Sequence, residues 1–185
     1  MKIKLAETEF EVLRKTIATR GTTRMVLLPV TFVGWATLTA TFLLFGDILP
    51  VTSLLSLAIL VAGFEAIHAL HVGVERVGRY LQVQYESEPD GPRWETTAMA
   101  VGPALPGGGI DPLFSAVFMC AAVINLVPAA LPTPRPTTIE AAAIVLPHAV
   151  FMFRVLRARG AAARQRAVEL ESFKALLLRE RDREQ

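Results

Sequence analysis

Glu65, His68 and His71 are the side chains of this sequence with the clearest capacity for chemistry, because they place three ionisable groups in one apolar stretch. An ionisable group in a membrane-crossing helix is costly to insert, so it marks a candidate site by default. Glu65 and His68 are three residues apart, a spacing that puts a carboxylate and an imidazole on one face of a helix. The pair could therefore bind a metal, hold a cofactor or move protons.

A metal site is the first interpretation of the Glu65 and His68 pair. Glu-x-x-His is half of the ligand set of di-metal carboxylate bundles, which use a second such motif and two further carboxylates. The later apolar spans offer Glu140 and His148, which are eight residues apart and do not repeat the motif. Glu65 and His68 are thus candidate metal ligands whose site a second copy of the chain would have to complete.

A haem site is the second interpretation, with His68 and His148 as the candidate cofactor ligands, because imidazoles from two helices can hold one haem iron. The helical rise separates the two histidines by ~10 Å in depth, which fits one iron poorly. A third interpretation is a small transporter or proton-conducting protein in which Glu65 and His68 relay protons. The structural alternative is that Glu65 forms a hydrogen bond or ion pair between helices, and that His71 lies near the membrane interface.

The composition indicates that a membrane surrounds these residues. The chain of 185 residues is 52% hydrophobic, with a mean hydropathy of +0.44, as in integral membrane proteins. Apolar spans long enough to cross the hydrocarbon core as helix are predicted at 25–45, 51–73, 112–131 and 138–156. Short turns at 46–50 and 132–136 arrange these spans as two antiparallel hairpins.

The predicted fold is therefore an all-α, four-helix membrane bundle of two transmembrane hairpins, with cytoplasmic helices at both termini. Lys and Arg mark the cytoplasmic side of a membrane protein. Residues 1–24 contain six of these basic residues, and the segment from Arg154 onward contains nine. The expected location is the inner (plasma) membrane. The predicted divisions are a cytoplasmic amphipathic helix at 1–24, hairpin 1 at 25–73, a cytoplasmic helical extension with a Gly/Pro-rich connector at 74–111, hairpin 2 at 112–158 and a cytoplasmic charged helix at 159–185.

The second span is expected to lie at the centre of the bundle. On a helical wheel Glu65 and His68 share one face, with His71 at its margin, and this face continues to Glu75 and Arg79, a pair at i,i+4 spacing. The segment 88–92 is expected to end this helix beyond the span. The adjacent face carries small residues that let another helix approach closely, namely Ala58, Ala62, Ala66, Ala69 and Gly73.

The expected function is that of a small polytopic accessory or scaffolding subunit of a membrane protein assembly. No Walker, Rossmann, zinc-finger or Gly-x-Ser-x-Gly pattern is present, so a non-enzymatic role is favoured. The expected partners are the lipid bilayer and other membrane-protein subunits or a second copy of the chain, with no nucleic acid. The basic segment 154–166 is expected at the level of anionic lipid headgroups.

Overall fold

The computed structural model describes residues 2–45, 51–86, 93–101, 112–130 and 136–184. Within these ranges it is 95% helical and contains no strand, so the predicted all-α class is confirmed. The helices are α1 (Lys2–Phe45), α2 (Thr52–Gln84), α3 (Trp94–Val101), α4 (Pro112–Ile124), α5 (Val127–Ala130) and α6 (Thr138–Glu184). The turn predicted at 46–50, most of the turn at 132–136, the break at 88–92 and the connector at 102–111 lie outside the described residues.

Three helical stretches of the described chain are long and apolar enough to cross a membrane, and they are Glu7–Phe45, Thr52–Gln84 and Thr138–Ala158. The chain thus has the helices of a membrane protein. The remaining predicted span, 112–131, is divided between α4, which has 13 residues, and the four-residue α5. By helix length alone, α4 rises only ~20 Å, less than the ~30 Å hydrocarbon core.

The long helices continue through the borders at which the sequence changes from charged to apolar. The predicted segments 1–24 and 25–45 form the single helix α1, and 138–158 and the charged tail form the single helix α6. A change in hydropathy does not interrupt the backbone hydrogen bonds of a helix, which depend on main-chain geometry. As predicted, α2 also extends past Gly73, to Gln84.

The described chain forms two compact units. Unit 1 contains residues 1–24, 69–110 and 159–185, and unit 2 contains residues 25–68 and 111–158. Each unit is built from parts of α1, α2 and α6 together with one short helical region.

Unit 2 has an aromatic core centred on Phe64, which is fully buried. The Phe64 ring centroid lies 5.4 Å from that of Phe118 and 5.8 Å from that of Phe151, both in edge-to-face geometry, which aromatic pairs favour. Leu60 and Val155 complete the centre of the core. The core therefore joins α2, α4 and α6.

α1 and α2 pack closely against each other at Gly63 in unit 2. A Cβ atom at this position would lie 2.2 Å from Cγ2 and 2.3 Å from Oγ1 of Thr31, a buried residue of α1. Neither atom could tolerate such a contact. The lack of a side chain at Gly63 therefore allows the two helices to pack closely at this point.

The helix break between α4 and α5 falls at Asn125 and Leu126. The N–H of Asn125 still donates to the carbonyl of Ala121 (2.8 Å), whereas the N–H of Leu126 donates to the carbonyl of Val123 (3.1 Å), a tighter turn. Pro128 follows, and proline cannot donate the next backbone hydrogen bond of a helix. The break is thus a local consequence of the sequence, and it turns Asn125 into the core of unit 2.

Candidate functional site

Glu65, the carboxylate singled out by the sequence, forms an ion pair in unit 2. Arg154 Nη2 donates to Glu65 Oε2 over 2.8 Å, and the two side chains are 39% and 44% exposed. The Arg154 guanidinium also lies 5.6 Å from the centroid of the Phe64 ring. At Glu65 the structure thus contains an ion pair between α2 and α6, which is the structural alternative to a metal, haem or proton-relay role.

His68 and His71 have different surroundings. In unit 2, the His68 ring stacks on Phe64 with a centroid distance of 5.8 Å and an angle of 22°. In unit 1, Arg24 Nη1 donates to His71 Nδ1 over 3.0 Å, and His71 Nε2 lies 3.5 Å from Glu75 Oε1. Each of these histidines is therefore engaged by neighbouring side chains.

His148 is fully buried in unit 2 and uses both ring nitrogens. Its Nδ1 donates to the carbonyl of Ile144 over 2.8 Å, and its Nε2 accepts from Asn125 Nδ2 over 3.0 Å. This assigns the proton to Nδ1, since the amide of Asn125 is the donor at Nε2. Both nitrogens are thus committed to partners within the unit.

Asn125 connects three helices through this network, and sequence reasoning did not identify it as a central residue. Its Oδ1 accepts from Trp35 Nε1 over 3.0 Å, while its Nδ2 donates to the carbonyl of Ser53 over 2.7 Å as well as to His148. Asn125 is fully buried. A signal was present in the sequence, because an amide three residues before Pro128 in an apolar run combines a polar group with a helix break.

The structure therefore places Glu65 with Arg154 and His148 with Asn125. Within the part of the chain that the structure describes, no group of three or more His, Cys, Asp or Glu side chains could hold a metal ion. The metal interpretation of Glu65 and His68 and the haem interpretation of His68 and His148 stay predictions. For haem, His148 Nε2 would have to exchange its Asn125 hydrogen bond for iron.

Unit 1 contains a second polar cluster, in which α6 is joined to α2 by ion pairs. Arg79, whose side chain is only 4% exposed, donates from Nε to Glu169 Oε2 over 3.0 Å and from Nη2 to the same oxygen. Arg76 Nε donates to Glu169 Oε1 over 2.8 Å. Charged groups this deeply buried must be paired to offset their lost hydration, and Glu169 supplies that pairing.

Glu75 is the second acidic centre of the same cluster. It accepts from Arg166 Nη2 and lies 3.5 Å from Arg79, the i,i+4 partner predicted from the sequence. Arg166 is on α6, so Glu75 also joins the two helices. Each carboxylate of the cluster contacts more than one arginine, and these ion pairs hold α6 against α2.

The pKa of Glu169 reflects this environment. Burial acts to raise it, but the hydrogen bonds from Arg79, Gln165 and Arg76 and the charge of Arg79 outweigh burial and hold the pKa of Glu169 below its ordinary value. Opposite charges and hydrogen bonds to an ionised carboxylate both favour the charged form. Glu169 is therefore an anion throughout the neutral range.

A cavity of about 170 Å³ lies beside this cluster in unit 1, with Glu75, Arg79, Arg166 and Glu95 as its charged lining. Glu95 approaches α2 at Gly78, where a Cβ atom would lie 2.8 Å from its Oε2. Burial and the neighbouring charge of Glu86 raise the pKa of Glu95, while Arg14 acts to lower it. The lining contains two acidic and two basic side chains, so it does not select ligands by a single sign of charge.

The small-residue face of α2 is open in unit 2. Ala58, Ala62 and Ala66 are all exposed, although the sequence predicted close helix packing on this face. The α2 side that carries Glu65 and Phe64 instead faces α6 and the aromatic core. The described chain thus leaves exposed the surface of α2 that is best suited to close approach by a helix.

Comparisons with known proteins found no matching family model, curated protein or solved structure. Glu65, Glu75 and Glu169 form ion pairs between helices, and Ala58, Ala62 and Ala66 of α2 are exposed.

Proposed function

We propose that this chain is a small polytopic accessory or scaffolding subunit of a membrane protein assembly. The observation that carries the proposal is the exposed face formed by Ala58, Ala62 and Ala66, which we name the alanine face. Its partner is a helix of another membrane-protein subunit or of a second copy of this chain.

The physical reason lies in how helices associate in lipid. Lipid tails are as apolar as leucine, so helix association there depends on close van der Waals packing, and small residues at four-residue spacing allow it. Alanines at 58, 62 and 66 have this spacing. A partner helix that packs on the alanine face could approach the α2 backbone closely.

A second line of support comes from the use of the charged groups. Glu65 is paired with Arg154, and Glu169 bridges Arg76 and Arg79. Such pairs hold helices in register and leave the carboxylates bound to cations rather than open to a substrate. This use favours a structural subunit over an enzyme.

In this proposal the chain crosses the membrane four times, and both of its termini lie in the cytoplasm. The membrane is the inner (plasma) membrane of the cell. The fourth crossing would use 112–131 as a broken segment, which membranes tolerate where the break is buried in protein. The burial of Phe118 and Asn125 supports this view. The lysine and arginine distribution supports the orientation.

The test is purification in mild detergent, comparing wild type with Ala62→Leu. Leucine on the alanine face would block close helix approach, so the expected result is co-purification of a stoichiometric partner with wild type and its loss with Ala62→Leu. Ala36→Leu is the matched control, because Ala36 is also an exposed alanine of an apolar helix. A wild-type protein that runs alone as a monomer, or equal partner binding by both variants, contradicts the proposal.

The haem, metal and transport alternatives have their own tests on the same sample. An absorption spectrum without a Soret band removes haem, and equal, near-zero metal content in wild type and Glu65→Ala removes a metal. Proton flux in vesicles that does not change with Glu65→Gln removes the proton relay. These alternatives are less favoured because Glu65 is paired with Arg154 and His148 uses both nitrogens in hydrogen bonds.

A further inference from the structure

The guanidinium of Arg157 lies in different surroundings from that of its neighbour Arg154. Arg154 donates to Glu65 within unit 2. Arg157 is exposed, and its guanidinium lies 4.7 Å from the ring centroid of Phe153, which is 56% exposed. An arginine and an aromatic ring thus meet on the outer surface of α6, with the cation over the ring face, an attractive arrangement.

The depth of Arg157 in the membrane follows from the start of α6. Thr137 and Glu140 form a reciprocal cap there: the Thr137 N–H donates to Glu140 Oε2 over 2.8 Å, and the Glu140 N–H donates to Thr137 Oγ1 over 3.3 Å. This polar cap fits the aqueous end of a span. Arg157 lies nineteen residues after Thr138, a rise of ~28 Å, close to the ~30 Å thickness of the hydrocarbon core.

The helical rise from Thr138 also places the two arginines at different depths. Arg154 lies sixteen residues after Thr138, or ~24 Å along the helix, which is short of the far boundary. A cation at that depth needs a compensating partner, and Glu65 provides it. Arg157, one turn further, reaches the level of the phosphates.

The outer surface of α6 is apolar up to this point. Leu146, Val150 and Phe153 are exposed and succeed one another at the four- and three-residue spacing of one helix face, which then continues to Arg157. An apolar stripe that ends in an aromatic residue and an arginine matches acyl chains followed by a headgroup. Arginine is also the side chain best suited to bind phosphate through two parallel hydrogen bonds.

We infer that Arg157 and Phe153 form a binding site for an anionic phospholipid, with the guanidinium on the lipid phosphate and the acyl chains along Leu146 and Val150. The inference rests on membrane insertion of α6 and not on the scaffolding role. It adds a preference for one class of lipid to a general affinity for the bilayer.

The test is native mass spectrometry of the full chain, purified in detergent with equal amounts of phosphatidylglycerol and phosphatidylcholine. Wild type is expected to retain phosphatidylglycerol preferentially. Arg157→Gln should lower the ratio of bound phosphatidylglycerol to bound phosphatidylcholine about fivefold, equivalent to about 1 kcal/mol. Arg183→Gln is the matched control, because Arg183 is an exposed arginine near the C-terminal end of α6, far along the helix from Arg157. Circular dichroism checks that each variant keeps its helices.

Two results would overturn the inference. One is equal retention of phosphatidylglycerol by wild type and Arg157→Gln, or an equal loss with Arg183→Gln. The other is displacement of the bound lipid by glycerol 3-phosphate at the same concentration, since a site that takes the free phosphate equally well has no use for acyl chains.

Discussion

Arg79 and Glu169 form the most deeply buried ion pair described in this chain, with the arginine side chain only 4% exposed and two of its nitrogens donating to one carboxylate oxygen. The pair joins α2 to α6 in unit 1. Because the arginine has little access to water, carboxylates must offset its lost hydration, and Glu169 makes closer contacts than Glu75, which lies 3.5 Å away. The attachment of the charged part of α6 (residues 159–184, the α6 tail) to α2 in unit 1 therefore depends strongly on Glu169.

Glu169→Gln should release the α6 tail from α2 within unit 1. Loss of one partner of a buried ion pair costs about 3 kcal/mol, so amide hydrogen exchange in the α6 tail should accelerate on the order of a hundredfold. Glu171→Gln, an exposed acid two residues away, is the control and should leave exchange unchanged. Equal exchange in both variants would show that the ion pairs contribute little to the attachment.

The attachment should also weaken in acid. The pKa of Glu169 is below its ordinary value of 4.5, because arginine contacts outweigh burial. A carboxyl whose folded pKa is depressed contributes stability that is fully present above the unfolded pKa and is lost as the pH falls through the folded pKa. Exchange in the α6 tail should thus be constant from neutral pH to about pH 5, after correction for the intrinsic rate, and rise below 4.5. A Glu169→Gln protein that kept the same acid response would assign it to another group.

Gly63→Ala should destabilise unit 2, because the new Cβ would lie 2.2 Å from Thr31 Cγ2 and 2.3 Å from Oγ1. Overpacking of this kind costs about 1–3 kcal/mol. Gly34→Ala is the matched control, since its Cβ would meet Ile59 Cγ2 at 3.8 Å, an ordinary contact. Thermal unfolding in detergent should rank Gly63→Ala below wild type and Gly34→Ala near it, and the reverse order would show that the α1–α2 contact is wrong.

Asn125→Ala should also lower the stability of unit 2, because it removes the partners of Trp35, of the Ser53 carbonyl and of His148 Nε2. Hydrogen bonds between membrane helices contribute about 0.6 kcal/mol each, which gives a total of about 2 kcal/mol. Thr41→Val, which removes an exposed hydroxyl that bonds within α1, should cost less. Equal unfolding temperatures for the two variants would mean that Asn125 does not connect the helices.

The helices were predictable where the signal is local. Runs of apolar residues predicted the apolar parts of α1, α2 and α6. Glu75 and Arg79 were predicted to pair because one helix fixes their spacing. The break at Asn125 was within reach, since Pro128 interrupts helical bonding. Hydropathy averaged over a span does not register such a break.

The partners of the candidate site were not predictable in the same way. Glu65 and Arg154 are separated by 89 positions in the sequence, and their meeting depends on the rotation of α2 and α6 about their axes. The same rotation decides that Phe64 faces the core and that Ala62 faces outward. A helical wheel gives the division into faces, but tertiary packing chooses which face is covered.

The alanine face gives the most direct test of the scaffolding proposal, through the mass of the particle in mild detergent. The chain alone has a mass of 20.1 kDa. We expect native mass spectrometry to find wild type and Ala36→Leu in a discrete larger complex and Ala62→Leu at the mass of the single chain. A wild-type particle of 20.1 kDa, or a complex that Ala62→Leu leaves intact, would contradict the scaffolding proposal.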